Sequence, residues 1–417
     1  MLTEGYKETE IGVIPIEWGV VKLETICDVR DGTHDSPKYQ KKGVPFITSK
    51  HLTDNGIDFS DVNYISNEDH INFSKRSLVE NGDILFGMIG TIGKPLIVNY
   101  DFEFSIKNVA LLKFNNIKLN NFFTLNLLKS TIIDKQFSKL SNGGVQSFIA
   151  LGMIRSLKIP LSPLKEQEKI ADILSTADEK IDAIASQIQK AETLKKGLLQ
   201  KLLSEGIGHR EFKDSELGKI PVSWEVVELE KGCKRIIGGG TPSKNKGNYW
   251  TNGTILWATP TEFTKSNDRY ISKTTLRITQ EGLENSSATL LNKGTVIMSS
   301  RATIGECKIN TVEMTTNQGF ISYECNEILY NLFLLYLVSY YKNKIIKVSS
   351  GSTFLEVSRT TMKNFKIPLP PLEEQKQIAD ILSTADEKLE LLRAKKEKYE
   401  ELKKGLLQKL LSGEVRV

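Results

Sequence analysis

From Leu174 onward, apolar residues recur at alternating intervals of three and four: Leu174, Ala177, Ile181, Ile184, Ile188, Ala191, Lys195, Leu198 and Leu202, with one polar interruption. The same register restarts at Leu382 and runs through Ala385, Leu389, Leu392, Lys396, Tyr399, Lys403, Leu406 and Leu410. A 3.5-residue apolar repeat held for about four heptads predicts a coiled coil rather than a helix lying on a globular core. Pro163 and Pro371 suit helix first turns, and Glu166 and Glu374 follow closely, where a carboxylate meets the positive end of the helix dipole. From there to Ser204 is about 40 residues, or roughly 60 Å of helix at ~1.5 Å per residue. Gly197 and Gly405 interrupt the two helices at a cost of ~1 kcal/mol relative to alanine, which predicts a close backbone contact or a local break.

The two periodic stretches are copies. Ile170 to Lys180 returns unchanged as Ile378 to Lys388, Leu194 to Ser204 returns as Leu402 to Ser412, and the lead-ins Ile159 to Gln167 and Ile367 to Gln375 match. All three blocks keep one offset of 208 residues, so the chain is a tandem duplication. It reaches the opening of each half, where Gly12, Ile14-Pro15, Trp18 and Val20-Val21 find counterparts in Gly218, Ile220-Pro221, Trp224 and Val226-Val227. Two such helices in one chain have an obvious partner in each other. A direct repeat that pairs with itself about a two-fold axis runs them antiparallel.

Outside the helices the pattern shortens. Both halves pass from the opening into a glycine-rich polar loop, Arg30 to Tyr39 and Gly238 to Trp250, where Gly and Pro mark irregular backbone. Then come apolar runs of strand length rich in β-branched and aromatic residues, Val44 to Thr48 against Ile255 to Thr259, and Gly82 to Phe86 against Gly294 to Met298. Longer apolar segments, Phe122 to Phe137 and Ile328 to Ile346, each predict one helix near the end of the half. Between these landmarks the halves diverge, as expected if both do the same job on different targets.

Composition changes this picture little. A chain of 417 residues exceeds the ~250 to 300 that one core supports. No run approaches the ~20 apolar residues of a membrane span, and Met1 to Glu8 carries no basic and then apolar leader, so a cytoplasmic protein is expected. The net charge of +5 permits a polyanionic partner without demanding one. Cys27, Cys233, Cys307 and Cys325 lack the spacing of a zinc or redox site and read as small buried residues.

Catalytic motifs are absent from the sequence. Gly87 to Pro95 resembles a nucleotide-binding loop but lacks its spacing and places proline after Lys94, so it reads as a tight turn. There is no G-x-S-x-G, H-E-x-x-H or Cys-x-x-Cys, and no Pro-Pro-Tyr/Phe strand end of an amino-methyltransferase. The polar loops remain: Thr33, His34 and Lys38 with Lys41 and Lys42, and Thr241, Ser243 and Lys244 with Lys246, combine hydroxyls, amines and exposed amides that can track phosphates and reach base edges. A solvated surface loop explains each taken alone. A self-contained restriction or methyltransferase enzyme, a DNA-independent coiled-coil scaffold and a specificity module of another defence system stay open at this level.

The Ile-Pro-x-x-Trp opening, the Thr-Ile-Gly turn, the Pro-Leu-x-Glu-Gln-x-x-Ile-Ala-x-Ile-Leu block and the Leu-Lys-Lys-Gly-Leu-Leu-Gln-Lys-Leu-Leu tail, in this order and done twice, with Gly-Thr-Pro-Ser-Lys in the second half, resemble the DNA specificity (S) subunit of type I restriction-modification systems. The resemblance covers nearly the whole chain. It implies an α+β protein with two strand-rich target-recognition domains, residues 1–160 and 206–368, and two helical spacers, 161–205 and 369–417, paired as an antiparallel coiled coil with pseudo-two-fold symmetry. It implies a non-catalytic subunit whose domains each read half of a bipartite double-stranded DNA site. The implied partners are two adenine methyltransferase (M) subunits with S-adenosylmethionine, and restriction (R) subunits using ATP and Mg; this chain would hold no cofactor or metal. Carried onto this sequence, Leu164, Glu166, Gln167, Ile170 and Leu174, with Leu372, Glu374, Gln375, Ile378 and Leu382, become spacer-core and M-docking positions. DNA contacts are expected from Thr33, His34, Lys38, Ser49, Lys50, Thr241, Ser243, Lys244, Thr259 and Arg301. Arg301 aligns with Ile89, so it reads a guanine on one side only or pairs with a carboxylate.

Overall fold

The computed structural model describes residues 4–114, 118–140, 148–264, 268–349 and 355–417. They form two compact units, Met1–Ser186 with Ala394–Val417, and Gln187–Arg393. The first unit is discontinuous and the second continuous, and each takes in the first part of one long helix and the last part of the other.

The first unit carries an antiparallel four-stranded sheet in the order Gly93–Ile97, Ile84–Gly87, Val109–Lys113, Asp28–Asp31. A three-stranded sheet beside it pairs Val44–Thr48 in parallel with Ser105–Lys107 and antiparallel with Asn63–Ile65. The second unit repeats the plan with five strands (Cys233–Gly238, Phe320–Cys325, Val296–Ser299, Cys307–Asn310, Tyr270–Ile271) and three (Leu276–Ile278, Ile255–Ala258, Thr315–Thr316). The apolar segment 122–137, expected as one helix, is two, Asn121–Leu128 and Thr131–Leu140. The break falls at Lys129-Ser130, where the Ser130 hydroxyl donates back to the Leu127 carbonyl while its own carbonyl accepts from Ile133 N–H. The counterpart Asn331–Lys347 has no such interruption and stays whole.

Two motifs that stand far apart in sequence prove to be one structural device. The opening strand Gly19–Lys22 pairs antiparallel with the lead-in strand Lys158–Leu161, and Glu225–Glu228 pairs with Lys366–Leu369. This ribbon delivers the chain into the long helices Leu164–Ser204 and Leu372–Leu411. Pro163 and Pro371 sit one residue before those helices, where their carbonyls accept the first helical bonds.

The heptad reading holds, because Leu174, Ala177, Ile184 and Leu202, and Leu382, Leu389, Leu392 and Leu410, are all buried. In the first unit Ile170 and Leu174 share a core with Leu410, Leu411, Trp18 and Phe123; in the second, Ile378 and Leu382 share one with Leu202, Leu203, Trp224 and Phe333. The seam lysines also find partners. Lys403 pairs with Asp178 in the first unit and Lys195 with Asp386 in the second, and these are the same pair at an offset of 208. With Arg416 bonded to Glu166 and His209 to Glu374, the ends of one helix meet the beginnings of the other in each unit, so the pairing is antiparallel.

Both helices run unbroken through Gly197 and Gly405, and a methyl group at either position would meet open space. The expected contact or break is therefore absent, and only the backbone entropy cost of glycine remains. Gly197→Ala and Gly405→Ala should each raise unfolding stability by about 0.5–1 kcal/mol, seen as a higher urea midpoint; an unchanged or lower midpoint would contradict this.

Cys27 is buried in the core of the first unit, and Cys233, Cys307 and Cys325 are partly buried against that of the second. Burial pushes the Cys27 thiol up to about 12, and it donates to the Lys113 carbonyl at 3.4 Å. Among the described residues no His/Cys/Asp/Glu group is arranged to hold a metal, and no helix is long and apolar enough to cross a membrane.

Candidate nucleic-acid interface

The glycine-rich loops are fixed by close approach. A Cβ on Gly32 would lie 2.2 Å from the Ile106 carbonyl oxygen, and one on Gly239 would lie 1.7 Å from that of Asn317, so both positions exclude every other residue. The glycines let the loop backbone bond the strand alongside, Gly32 N–H to Val109 O at 2.9 Å and Gly240 N–H to Thr316 O at 2.9 Å. A side chain just beyond the glycine in each loop then reaches an amide on the facing turn. His34 Nδ1 lies 2.6 Å from Asn108 Oδ1, and Thr241 donates to Gln318 Oε1. Asn108 sits in the left-handed region, at φ 52°. Asp31, buried beneath His34, bonds its Nε2 at 2.9 Å and also pairs with Arg76.

The Thr-Ile-Gly turn lies beside this junction. In the first unit Ser49 Oγ donates to the Asn108 carbonyl at 3.0 Å and accepts from Met88 and Ile89 N–H. In the second, Ser300 N–H bonds the Gly319 carbonyl at 2.8 Å, which joins the turn before Arg301 to the one that carries Gln318. At the equivalent edge, Ile89 bridges Phe148 and Arg301 bridges Glu356. Positive φ at Gly90 (72°) and Ala302 (57°) shapes both turns. Lys94 in the nucleotide-loop lookalike is tied to Asp54, which agrees with its reading as a turn.

The expected contact residues divide accordingly. Thr33 and Ser49 are buried and hold the loop and turn in place. Thr259 donates its hydroxyl to Glu262 at 2.5 Å; burial opposes the Glu262 charge, but the hydrogen bonds from Thr259 and Thr275 hold its carboxyl below the usual range. These three are framework rather than surface. Lys50 is exposed and bonds Asp61 at 2.9 Å, which holds the Asp61 carboxyl below its ordinary value. Lys38 is exposed, and among the described residues it has no partner. In the second loop Trp250 packs edge-on to Trp257 at 5.0 Å and donates to the Ser243 carbonyl, leaving the Ser243 and Lys244 side chains exposed. Lys38, Ser243 and Lys244 are exposed, and His34, Lys50, Thr241 and Arg301 keep solvent-accessible surface while already holding a partner. Sequence reasoning missed Asn108, Gln318, Phe148 and Glu356. Setting Ile106-Lys-Asn-Val109 against Thr316-Asn-Gln-Gly-Phe320 shows an amide in both halves, blurred by a one-residue insertion.

The helix positions fall elsewhere. Gln167, Ile170, Leu174, Gln375, Ile378 and Leu382 are all 0% exposed. The Trp18 and Trp224 indoles donate to Glu166 and Glu374, both at 3.0 Å. Gln167 accepts from Asn120 N–H at 2.9 Å and donates to the Ser162 carbonyl at 2.8 Å, and Gln375 does the same with Tyr330 and Pro370, both at 2.8 Å. The Glu-Gln pair is thus an anchor between helix and domain, with its surface spent inside its own unit. Of the ten positions only Leu164 is classed as exposed, with Leu372 and Glu374 partly so.

This duplicated framework matches known proteins along its whole length. Residues 15–193 and 221–401 each match the type I restriction modification DNA specificity domain. Over 425 aligned residues the chain is 34% identical to a Methanocaldococcus jannaschii protein assigned as the MjaX specificity subunit of a type I restriction enzyme, covering 99% of this chain and 97% of the relative. The fold is also similar to the S subunit of a type I restriction-modification system from M. genitalium, with TM-score 0.56 and 16% identity over 95% of this chain and 96% of that one. A chain from a structure addressing assembly and conformational transition of the type I R-M system gives TM-score 0.62 and 19% identity, covering 96% and 99%. The chain belongs to the type I restriction-modification DNA specificity family. It is therefore the DNA-recognition component of such an enzyme, with catalysis on partner subunits, which sets aside the self-contained enzyme and the DNA-independent scaffold.

Proposed function

We propose that each unit reads one half of a bipartite, asymmetric DNA site through its glycine-loop and amide junction, and that the long helices set the distance between the halves. The target-recognition domains are residues 1–160 and 206–368, with 161–205 and 369–417 as spacers. One observation carries this reading: the same junction is built twice on the same framework, His34 with Asn108 and Thr241 with Gln318, while the side chains it presents differ. Lys38, Lys50 and Lys244 flank the junctions as phosphate contacts, which position without specifying.

A chain that repeats itself suits two copies of one partner, here the adenine methyltransferase subunit carrying S-adenosylmethionine, joined by restriction subunits that use ATP and Mg. Since the buried Glu-Gln anchors are occupied, docking falls to exposed positions of the same repeat. Leu164 keeps surface near the helix start, and Leu194 and Leu402, equivalent residues, are 58% and 55% exposed. Methylation of a stacked base requires it to leave the duplex, so the complex distorts its DNA. Mapping methylated adenines in DNA exposed to the assembled complex tests the reading. Two defined half-sites around an unspecified spacer are expected; a single continuous site, or methylation without sequence preference, would refute it.

A further inference from the structure

The two units present different chemistry at one equivalent point. In the first, Ile89 and Phe148, 47% and 57% exposed, form an apolar pair beside Asn108. In the second, Arg301 forms an ion pair with Glu356, which lines an open cleft of about 420 Å³ together with Gln318, Ser300 and Arg359. Both members of that pair are about half exposed. Glu356 Oε1 lies 2.8 Å from Arg301 Nε as an ion pair, and among the described residues the two terminal amino groups of the guanidinium have no partner. A carboxylate paired at Nε leaves the two-pronged end of the guanidinium free. That is the geometry that meets guanine O6 and N7 together in the major groove, while an apolar side chain there meets the thymine methyl.

We propose that Arg301 reads a guanine in the half-site of the second unit, oriented by Glu356, and that Ile89 with Phe148 favours an A·T pair at the corresponding point of the first. This rests on the proposed function and goes further by assigning a base class to named residues. Glu356 is a positioning residue in this scheme; Arg301 touches the base.

The test uses the assembled complex with its methyltransferase subunits. The wild-type half-sites are first mapped by methylation, and the half-site of the second unit is assigned by exchanging residues 206–368 with a relative. Duplexes in which each base pair is replaced in turn are then methylated by wild type, Arg301→Gln and Arg301→Lys. Both variants should lose preference at one G·C pair of that half-site by about 5- to 150-fold, the range of one bidentate contact, with the other half-site unchanged as internal proof of folding. Ile89→Arg combined with Phe148→Glu should install a guanine preference in the first half-site. Guanine preference retained in both Arg301 variants would overturn the inference, as would a rate loss spread evenly over all positions, which marks a phosphate contact or a structural ion pair. A wild-type complex without two half-sites would overturn the proposed function itself, and this inference with it.

Discussion

Inserting one heptad after Ser186 and another after Ala394 is expected to lengthen the DNA spacer by about three base pairs while both half-sites stay as they were. Seven residues add ~10.5 Å of helix, which corresponds to roughly three steps of ~3.4 Å along duplex DNA. The two insertion points are equivalent, 208 residues apart, and fall where the compact units meet in sequence. A heptad keeps the apolar seam in phase, whereas three or four residues would rotate it. The ion pairs Lys403–Asp178 and Lys195–Asp386 stay within their own units, so each end of the helix pair keeps its register. Mapping methylated adenines reads the result directly. An unchanged spacer would remove the helices from the role of ruler.

The second large effect is expected at the anchors. Gln167→Leu removes the partner of Asn120 N–H and of the Ser162 carbonyl at a site with no access to water. Each buried group left unpaired costs ~1–3 kcal/mol, so about 3 kcal/mol of unfolding stability should be lost. Gln375→Leu should lose a similar amount through Tyr330 N–H and the Pro370 carbonyl. Because each glutamine holds the start of one helix to one unit, each variant should also weaken recognition of one half-site more than the other. Equilibrium denaturation in urea measures the first effect. A neutral or stabilised Gln167→Leu protein would show that the Asn120 N–H and the Ser162 carbonyl find other partners and that the anchor is dispensable.

Much of this architecture was legible in the repeat and its periodicity, and the reasons are local. A heptad seam is a property of spacing, so Leu174, Ala177, Leu382 and Leu389 declare themselves without any knowledge of the partner helix. The seam lysines do not, because Lys195 and Lys403 gain meaning only from aspartates on the other copy. Antiparallel pairing supplies that register, and no window of sequence contains it. The Glu-Gln step gains its meaning in a related way. The sequence places it among spacer-core and M-docking positions, and only the fold shows the Trp18 and Trp224 indoles closing over Glu166 and Glu374. In the loops, residue type separated poorly what contacts a ligand from what supports the loop. Thr33 and Ser49 carry the same hydroxyl as Thr241 and Ser243 but point into the framework. The amides Asn108 and Gln318 escaped notice because they lie some 75 residues beyond the loops they serve, at |i−j| of 74 and 77. Short turns joining distant strands are built by sheet topology, which alternating hydrophobicity alone does not define.

The central claim is that each unit reads its own half-site independently. Exchanging residues 1–158 for the first unit of another specificity subunit, assembling the complex and mapping its methylated adenines tests this most directly. The predicted result is a new sequence in one half-site, with the other half-site and the spacer retained. A change in both half-sites, or in neither, would contradict it.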